Sequence, residues 1–525
     1  MSIPHVLPRT SLWTLAVVAW CSLCGGALES ACSAADESDK AQAQEARRLG
    51  AGPHLLLDDY LIARTSGVER RVNPPQRFLA GPIVTGDPEH QNWQPFLTVL
   101  HDAAAPEGSR FRMWYNVDAV DDPADGNFFG VSGHLASPDG IHWPGPYTRL
   151  TSLTIEGRVR FGASVLDEGP RHRPAAERYK MMYFDAGQRA GPRVAFSSDG
   201  LEWKLHDDGK PVIEVSNSDD IWTAAYDPLR KRYFLIGKTF APYTWTNAEG
   251  EKVTAKIRRY FTSFSPDFKS WGEQKMVFSP DEKDSGITQW YGAAGFQVRG
   301  ELIVGFLRVL RDDMTPEGAP QEAIDANSKG PAGLGASGLG NKGGSGMGYT
   351  VLTWTRDGET WQRDRQTDKF FEPAPDIGAW DHAFSWIGSA TPVGDDVYLY
   401  YAGYRFGHKY RHSVDRNIGL VKMKRDRYVA REAGDKGGTL TTQLLTLDAH
   451  ELALNVDAAG GEVRVQVLDA DGKPVPGFRF SDCRAITGDS LSATVKWARP
   501  LSTLRGKALR LEFSLRNARL FAFEI

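Results

Sequence analysis

The 525-residue chain has few cysteines, little net charge and almost no long apolar runs. Each scarcity excludes something. Of its four cysteines, Cys21 and Cys24 lie in an N-terminal apolar run, leaving Cys32 and Cys483, too few for a disulfide framework or a cysteine-rich metal site. The 62 basic side chains are balanced by 66 acidic ones, so no basic field exists to hold nucleic acid. Residues 12–24 (LWTLAVVAWCSLC) form a run that is too short to span a bilayer. It follows Arg9 and precedes a series of small residues, the pattern of a secretory signal cleaved near residues 27–35. Residues 1–35 are therefore the expected signal peptide and 36–49 a linker, which makes the protein secreted or periplasmic without stable membrane insertion. Ser30-Ala31-Cys32 faintly matches a lipid-anchor site, but Glu29 stands where an aliphatic residue is needed.

Motifs for metals and nucleotides are also missing. His134, His382, His408 and His412 are scattered, with no HExxH or His-x-His spacing, and no P-loop, GxSxG or GxGxxG joins a strand to a helix. No metal and no cofactor are expected.

Turn formers and aromatics are plentiful: 54 Gly, 30 Pro, 15 Trp and 17 Tyr point to an all-β protein. One short pattern recurs, Ser/Thr-x-Asp-(Gly)-x-x-Trp, at Ser137–Trp143, Ser197–Trp203, Ser265–Trp271 and Thr355–Trp361. The Asp can cap turn amides while Gly takes a positive φ, so the pattern reads as a hairpin turn whose Trp opens the next strand. Turn chemistry accounts for every residue in it, and none is needed for catalysis. A β-rich run and an aromatic strand precede each turn. A fifth unit at 387–421 lacks the Trp turn. Four short strands per unit at this spacing give a five-bladed β-propeller over residues 50–430, with 54–62 expected to help close the ring. Residues 431–525 alternate without the Trp turn and read as a C-terminal β-sandwich. The Gly-rich stretch 326–348 reads as a loop between the second and third strands of blade four.

The Leu-Leu-Leu-Asp58-Asp59-Tyr60 opening, the Asp-Gly-x-x-Trp turns and the closing Leu-Arg-x-x-Phe-x-Leu-Arg-Asn-Ala-Arg-Leu-Phe-Ala-Phe strands resemble a group of secreted bacterial proteins. That group is related to the five-bladed propeller glycosidases, the arabinanases, β-xylosidases, invertases and levanases. The resemblance implies a secreted glycoside hydrolase whose active site lies where the innermost strands begin. The Trp-Met-Asn-Asp-Pro-Asn motif of invertases is not found, so the resemblance assigns no nucleophile or base. The Trp turns also resemble the Asp-boxes of six-bladed sialidases, but only five units are present and no arginine triad is evident.

Glycosidic cleavage requires two carboxyl groups facing each other from different blades. Strand starts and strand ends offer Asp220, paired with Asp381 or Asp118; each also has a purely structural reading, as a strand cap, an arginine partner or a solvated loop residue. Trp93, Tyr291 and Trp380 are candidate sugar platforms, with core packing as the alternative. Arg160, Arg308 and Arg405, with His382, are candidate substrate contacts. A rim of guanidinium groups suits an acidic or sulfated sugar, unless it only neutralises the rim carboxylates. The competing functions are a non-catalytic carbohydrate-binding propeller and a sialidase-like exo-glycosidase.

Overall fold

The computed structural model describes residues 46–525 except 88, 91, 118–130, 151, 153–159, 186–190, 216–221, 326–343, 409, 411–414 and 449. The expected signal peptide, Cys32 and most of the linker lie outside the described residues.

Five separate four-stranded antiparallel sheets form the larger part of the molecule. Their innermost strands are Asn92–His101, Arg160–Asp167, Trp222–Asp227, Thr288–Arg299 and Trp386–Val393, and these touch in sequence around a closed ring. Short polar side chains stitch neighbouring inner strands together. Ser389 Oγ accepts from the Val99 amide at 3.0 Å, Thr98 Oγ1 from Val165 at 3.2 Å and Ser164 Oγ from Ala224 at 3.1 Å. A five-bladed propeller results.

Ring closure differs from the sequence expectation. Residues 54–62 do not join a blade; Pro53–Leu55 and Ile62–Ser66 pair with Ala518–Glu524 and Gly438–Thr442 of the second module. The closing strand is Gln76–Arg77, which hydrogen-bonds to Asn417–Lys424 as the outermost strand of blade five. Its two polar residues carry no hydrophobic alternation, so no strand is legible there from periodicity.

Three of the four repeated turns share one geometry, and the fourth, around Asp357, keeps the amide bonds to Thr355 and Asp357 but not the bond from the Trp. In the first, Ser137 Oγ accepts from the Gly140 amide at 2.9 Å, and Asp139 Oδ1 accepts from Ile141 and His142, both at 2.8 Å. Trp143 Nε1 then donates to the Gly140 carbonyl at 3.1 Å. The bonds recur around Asp199 and Asp267, with Trp203 and Trp271 donating in turn. The glycine position has a positive φ, 76° at Gly140 and 80° at Gly200. In the third turn Phe268 adopts φ 69°, and burial of its ring against Phe196, Tyr233 and Trp271 offsets the strain.

The second module is a β-sandwich that draws strands from both ends of the chain. The 16-residue strand Ala453–Leu468 pairs first with Ala518–Glu524 and Ile486–Thr494, then with Ala508–Arg516. The chain runs on because Gly461 has no side chain: a Cβ there would lie 1.8 Å from the Arg516 carbonyl oxygen.

At the seam between the modules, Leu55 and Leu57 enter a propeller cluster with Phe306 and Trp354, while Leu56 and Leu61 enter the sandwich core. Asp58 accepts two hydrogen bonds from Arg356, at 2.7 and 2.8 Å, and one from Trp354 Nε1 at 2.7 Å. Arg299 and Asp426 form a second bidentate pair, at 2.6 Å for both bonds. Among the described residues no helix is long and apolar enough to cross a membrane.

Two stability predictions follow from the turns. A Cβ at Gly200 would lie 2.8 Å from Trp114 Cζ2 on a positive-φ backbone, whereas at Gly472 (φ 80°) it would meet nothing within 4 Å. Gly200→Ala should therefore cost about 2–4 kcal/mol in denaturant unfolding and Gly472→Ala only about 1 kcal/mol. Burial alone would raise the carboxyl of Asp139, but hydrogen bonds from the His142 ring and amide, the Ile141 amide and Ser137 hold it at about 2. Asp357 is held at about 2 by the Thr360 and Glu359 amides against the same effect of burial. These carboxylates support the fold above the unfolded-state value of about 4 and lose that contribution as pH falls toward 2. Acid unfolding of Asp139→Asn should therefore depend less steeply on pH in that window than that of the parent.

Candidate active site

The five inner strands enclose a cavity of about 320 Å³. Four of them break register near the end where they begin: between Gln94 and Leu97, Phe161 and Ser164, Trp290 and Ala293, and Ile387 and Ser389. Such bulges redirect side chains and often border active sites. The bulge glycine of blade five, Gly388, leaves space that a Cβ would fill, 3.2 Å from Arg308 Nη2.

Arg308 comes from the second strand of blade four and lines this cavity. It is 2% exposed, and its Nε donates to the Ile387 carbonyl at 3.0 Å. Among the described residues no carboxylate pairs with it. Burial pushes the guanidinium down to about 10, only partly offset by the hydroxyls of Tyr260, Tyr404 and Tyr291. A buried cation without a counter-charge is costly unless a ligand supplies one.

Aromatic and polar groups surround it. Tyr291 stacks on Trp386 with centroids 4.6 Å apart, and its hydroxyl lies 3.1 Å from His408 Nε2. The Arg258 guanidinium lies 4.4 Å from the centre of the Tyr291 ring. Arg258 also donates to Gln289 Oε1 at 2.6 Å, and Gln289 donates to Asp312 at 2.5 Å, which fixes the orientation of the side-chain amide. Tyr404 is fully buried against Phe384 and beneath Arg416; burial pushes its hydroxyl up to about 12, which keeps it a neutral donor. Arg416 donates to the His408 and Tyr410 carbonyls at 3.0 and 2.7 Å and so holds the loop that carries His408.

The residues picked out by sequence separate into three groups. Arg308 lines the cavity; Tyr291 lies close enough to act on its charge but is buried against Trp386 and is not among the lining residues. Asp220 and Asp118 lie outside the described residues, while Trp93 and Arg160 fall within the innermost strands of blades one and two. Asp381, Trp380, His382 and Arg405 go elsewhere. Asp381 accepts from Arg77 Nε at 3.1 Å and from the Tyr401 hydroxyl at 2.9 Å, so its carboxylate reaches toward the outermost strand of blade five, away from the innermost one. Trp380 lies flat on Tyr401, over Gly403 and Gly419, where any Cβ would strike its ring. His382 Nδ1 is 2.9 Å from the Ala374 carbonyl, and Arg405 is exposed beside Phe406. Before an inner strand begins, the sequence cannot tell which way its leading loop folds over the blade.

Sequence reasoning missed Arg258, Asp312 and Trp386 as neighbours of Tyr291 and Gln289. Strand register puts the neighbouring Arg259 on the opposite face, where Nε donates to Ser279 at 2.9 Å. Strict alternation along Lys252–Ser265 was the available signal. Arg193 is also structural, donating to the Gly209 and Gly191 carbonyls at 2.7 and 2.9 Å. Among the described residues no group of three His, Cys, Asp or Glu side chains is placed to hold a metal ion.

No protein-family model matches the chain, and no curated protein matches it. Solved structures do. An N-acetylgalactosamine deacetylase from F. plautii, in complex with blood group B trisaccharide, is 14% identical, with 69% of this chain and 97% of that one covered at a TM-score of 0.42. A glycosyl hydrolase from Bacteroides ovatus is 14% identical over 73% and 95% of the two chains, with a TM-score of 0.39. A glycoside hydrolase family 43 arabinoxylan arabinofuranohydrolase from Bacillus subtilis, in complex with cellotetraose, is 11% identical over 85% and 99%, with a TM-score of 0.37.

Two substitutions should separate the pit from its scaffold. Arg308→Met removes a buried charge that no described carboxylate compensates and should raise the thermal midpoint, by about 1–4 °C; a lower midpoint would show that the guanidinium is paired. Asp381→Asn removes the charge of a buried carboxylate paired with the partly exposed Arg77 and should lower stability by about 1–2 kcal/mol, measured by denaturant unfolding.

Proposed function

We propose that the protein is an exported glycoside hydrolase that cleaves a glycosidic bond of an acidic or sulfated oligo- or polysaccharide at the end of the channel where the inner strands begin. The observation that carries this reading is Arg308, a buried guanidinium beside the tyrosines of the pit with no described carboxylate to neutralise it. A carboxylate or sulfate ester on a sugar would supply the missing charge through a bidentate contact. Tyr291 and Trp386, stacked on each other, and Tyr404 are buried, so they pack around the guanidinium and are not themselves sugar platforms.

For the chemical step, we assign the carboxyl pair to Asp220 and a partner from the second-strand ends, Asp118 or Asp185. Asp185 closes the second strand of blade two, paired in register with Arg160 at the head of the inner strand, and is 1% exposed. One carboxyl protonates the leaving oxygen while the other acts on the anomeric centre or activates water, and the two must come from different blades to face each other. Asp381 has no part in this assignment, because Arg77 and Tyr401 hold it on the outer part of blade five.

The test is release of reducing ends from a panel of polysaccharides that includes polygalacturonate, alginate, chondroitin sulfate, arabinan and mannan. Hydrolysis of at least one acidic polymer is expected. Asp220→Asn should lower turnover by about 10²–10⁴-fold with little change in the thermal midpoint. Retention of full turnover would remove Asp220 from the mechanism, and binding of a polymer without cleavage would favour a carbohydrate-binding propeller.

A further inference from the structure

Blade three departs from the other four. Its second and third strands, Arg232–Thr246 and Lys252–Ser265, remain paired far beyond the inner strand, which ends its pairing at Trp222 opposite Gly237. Residues 238–246 and 252–260 therefore form a two-stranded arm that rises about 30 Å from the rim on the side where inner strands begin.

Alternation divides the arm into two faces. One carries Trp245, Ala255 and Ile257, all buried, and is fastened by Arg259 to Ser279 and by the Ala248 amide to the Asp284 carbonyl at 3.0 Å. The other carries Lys238, Phe240, Pro242 and Thr244 on one strand and Arg258, Lys256, Thr254 and Lys252 on the other. Four of these are cationic and none is acidic. This second face turns to the pit: Lys238 Nζ and the Arg258 guanidinium lie 5.9 and 4.4 Å from the Tyr291 ring centre. Further out, Phe240 sits between Arg258 at 5.3 Å and the exposed Lys256 at 4.7 Å. A ladder of alternating aromatic rings and cations thus leads from the pit floor up the arm.

We infer that this arm is an extended binding surface for an anionic sugar chain, holding several units beyond the one in the pit. The inference rests on the proposed site, since the same chain would enter both. Apolar sugar faces pack on Phe240 and Pro242, and acidic substituents meet Lys256 and Lys252. A monosaccharide seated on Arg308 would not reach these side chains, so the arm makes sense only for a polymer or long oligomer.

Affinity gel electrophoresis of the full chain tests this without needing catalysis. Native gels are cast with polygalacturonate or alginate for carboxylates, chondroitin sulfate for sulfate esters, and arabinan or mannan as neutral controls. The protein should be retarded by at least one acidic polymer and by neither neutral one, and retardation should weaken as salt rises. Lys256→Glu, at an exposed position, should weaken apparent affinity about tenfold, and Phe240→Ala combined with it further, with unchanged thermal midpoints. Equal retardation of parent and variants, no retardation by any acidic polymer, or equal retardation by neutral ones would each overturn the inference. Failure of the hydrolase reading would look different: acidic gels would still retard the protein, but no reducing ends would form.

Discussion

Everything in the larger module depends on closing the ring. A propeller with an open seam would expose the edges of blades one and five and would have no enclosed channel. Here the seam is closed by a strand of two residues, Gln76–Arg77, laid along Asn417–Lys424. So short a strand adds little by itself. Arg77 reinforces it by reaching under the blade to Asp381, stacking on Phe371 at 4.4 Å and donating to the Glu372 carbonyl. From there the chain crosses to blade one, where the Ile418 amide donates to the Val84 carbonyl at 2.8 Å and Asn92 Nδ2 to that of Arg416 at 2.9 Å. The first and last blades are thus joined by charge, ring stacking and backbone bonds at once.

Closure makes the pit possible, because only a complete ring brings the starts of five inner strands together. The bulges at four of those strands then vary the spacing of side chains that an ideal sheet would fix. Arg308 reaches the channel because Gly388 leaves it room, and its isolation from described carboxylates is the feature for which packing alone offers no compensation. The stabilising pairs elsewhere, Arg356 with Asp58 and Arg299 with Asp426, are all matched. Among the described residues Arg308 has no such carboxylate partner.

The sandwich acts as a clamp across the start of the propeller. Because Leu55 and Leu57 face one core and Leu56 and Leu61 the other, a single segment belongs to both modules. Separating them would expose both clusters and the two bidentate pairs at their boundary.

Features that depend on neighbouring residues could be read from the chain alone. The Asp-Gly-x-x-Trp turns, the strand-rich units and the number of blades were legible because turn capping and positive φ are local requirements that need particular residues at fixed spacing. Arg308 could be placed at the channel because strand ends follow from those turns. Tertiary structure decided whatever turned on direction. Asp381, Trp380 and His382 cluster beside an inner strand in sequence, yet the loop that carries them folds over the blade. Arg258 and Arg259 are adjacent, and register alone sends one to the pit and the other to Ser279. The closing strand carries no pattern at all, since a two-residue edge is defined by the chain it meets.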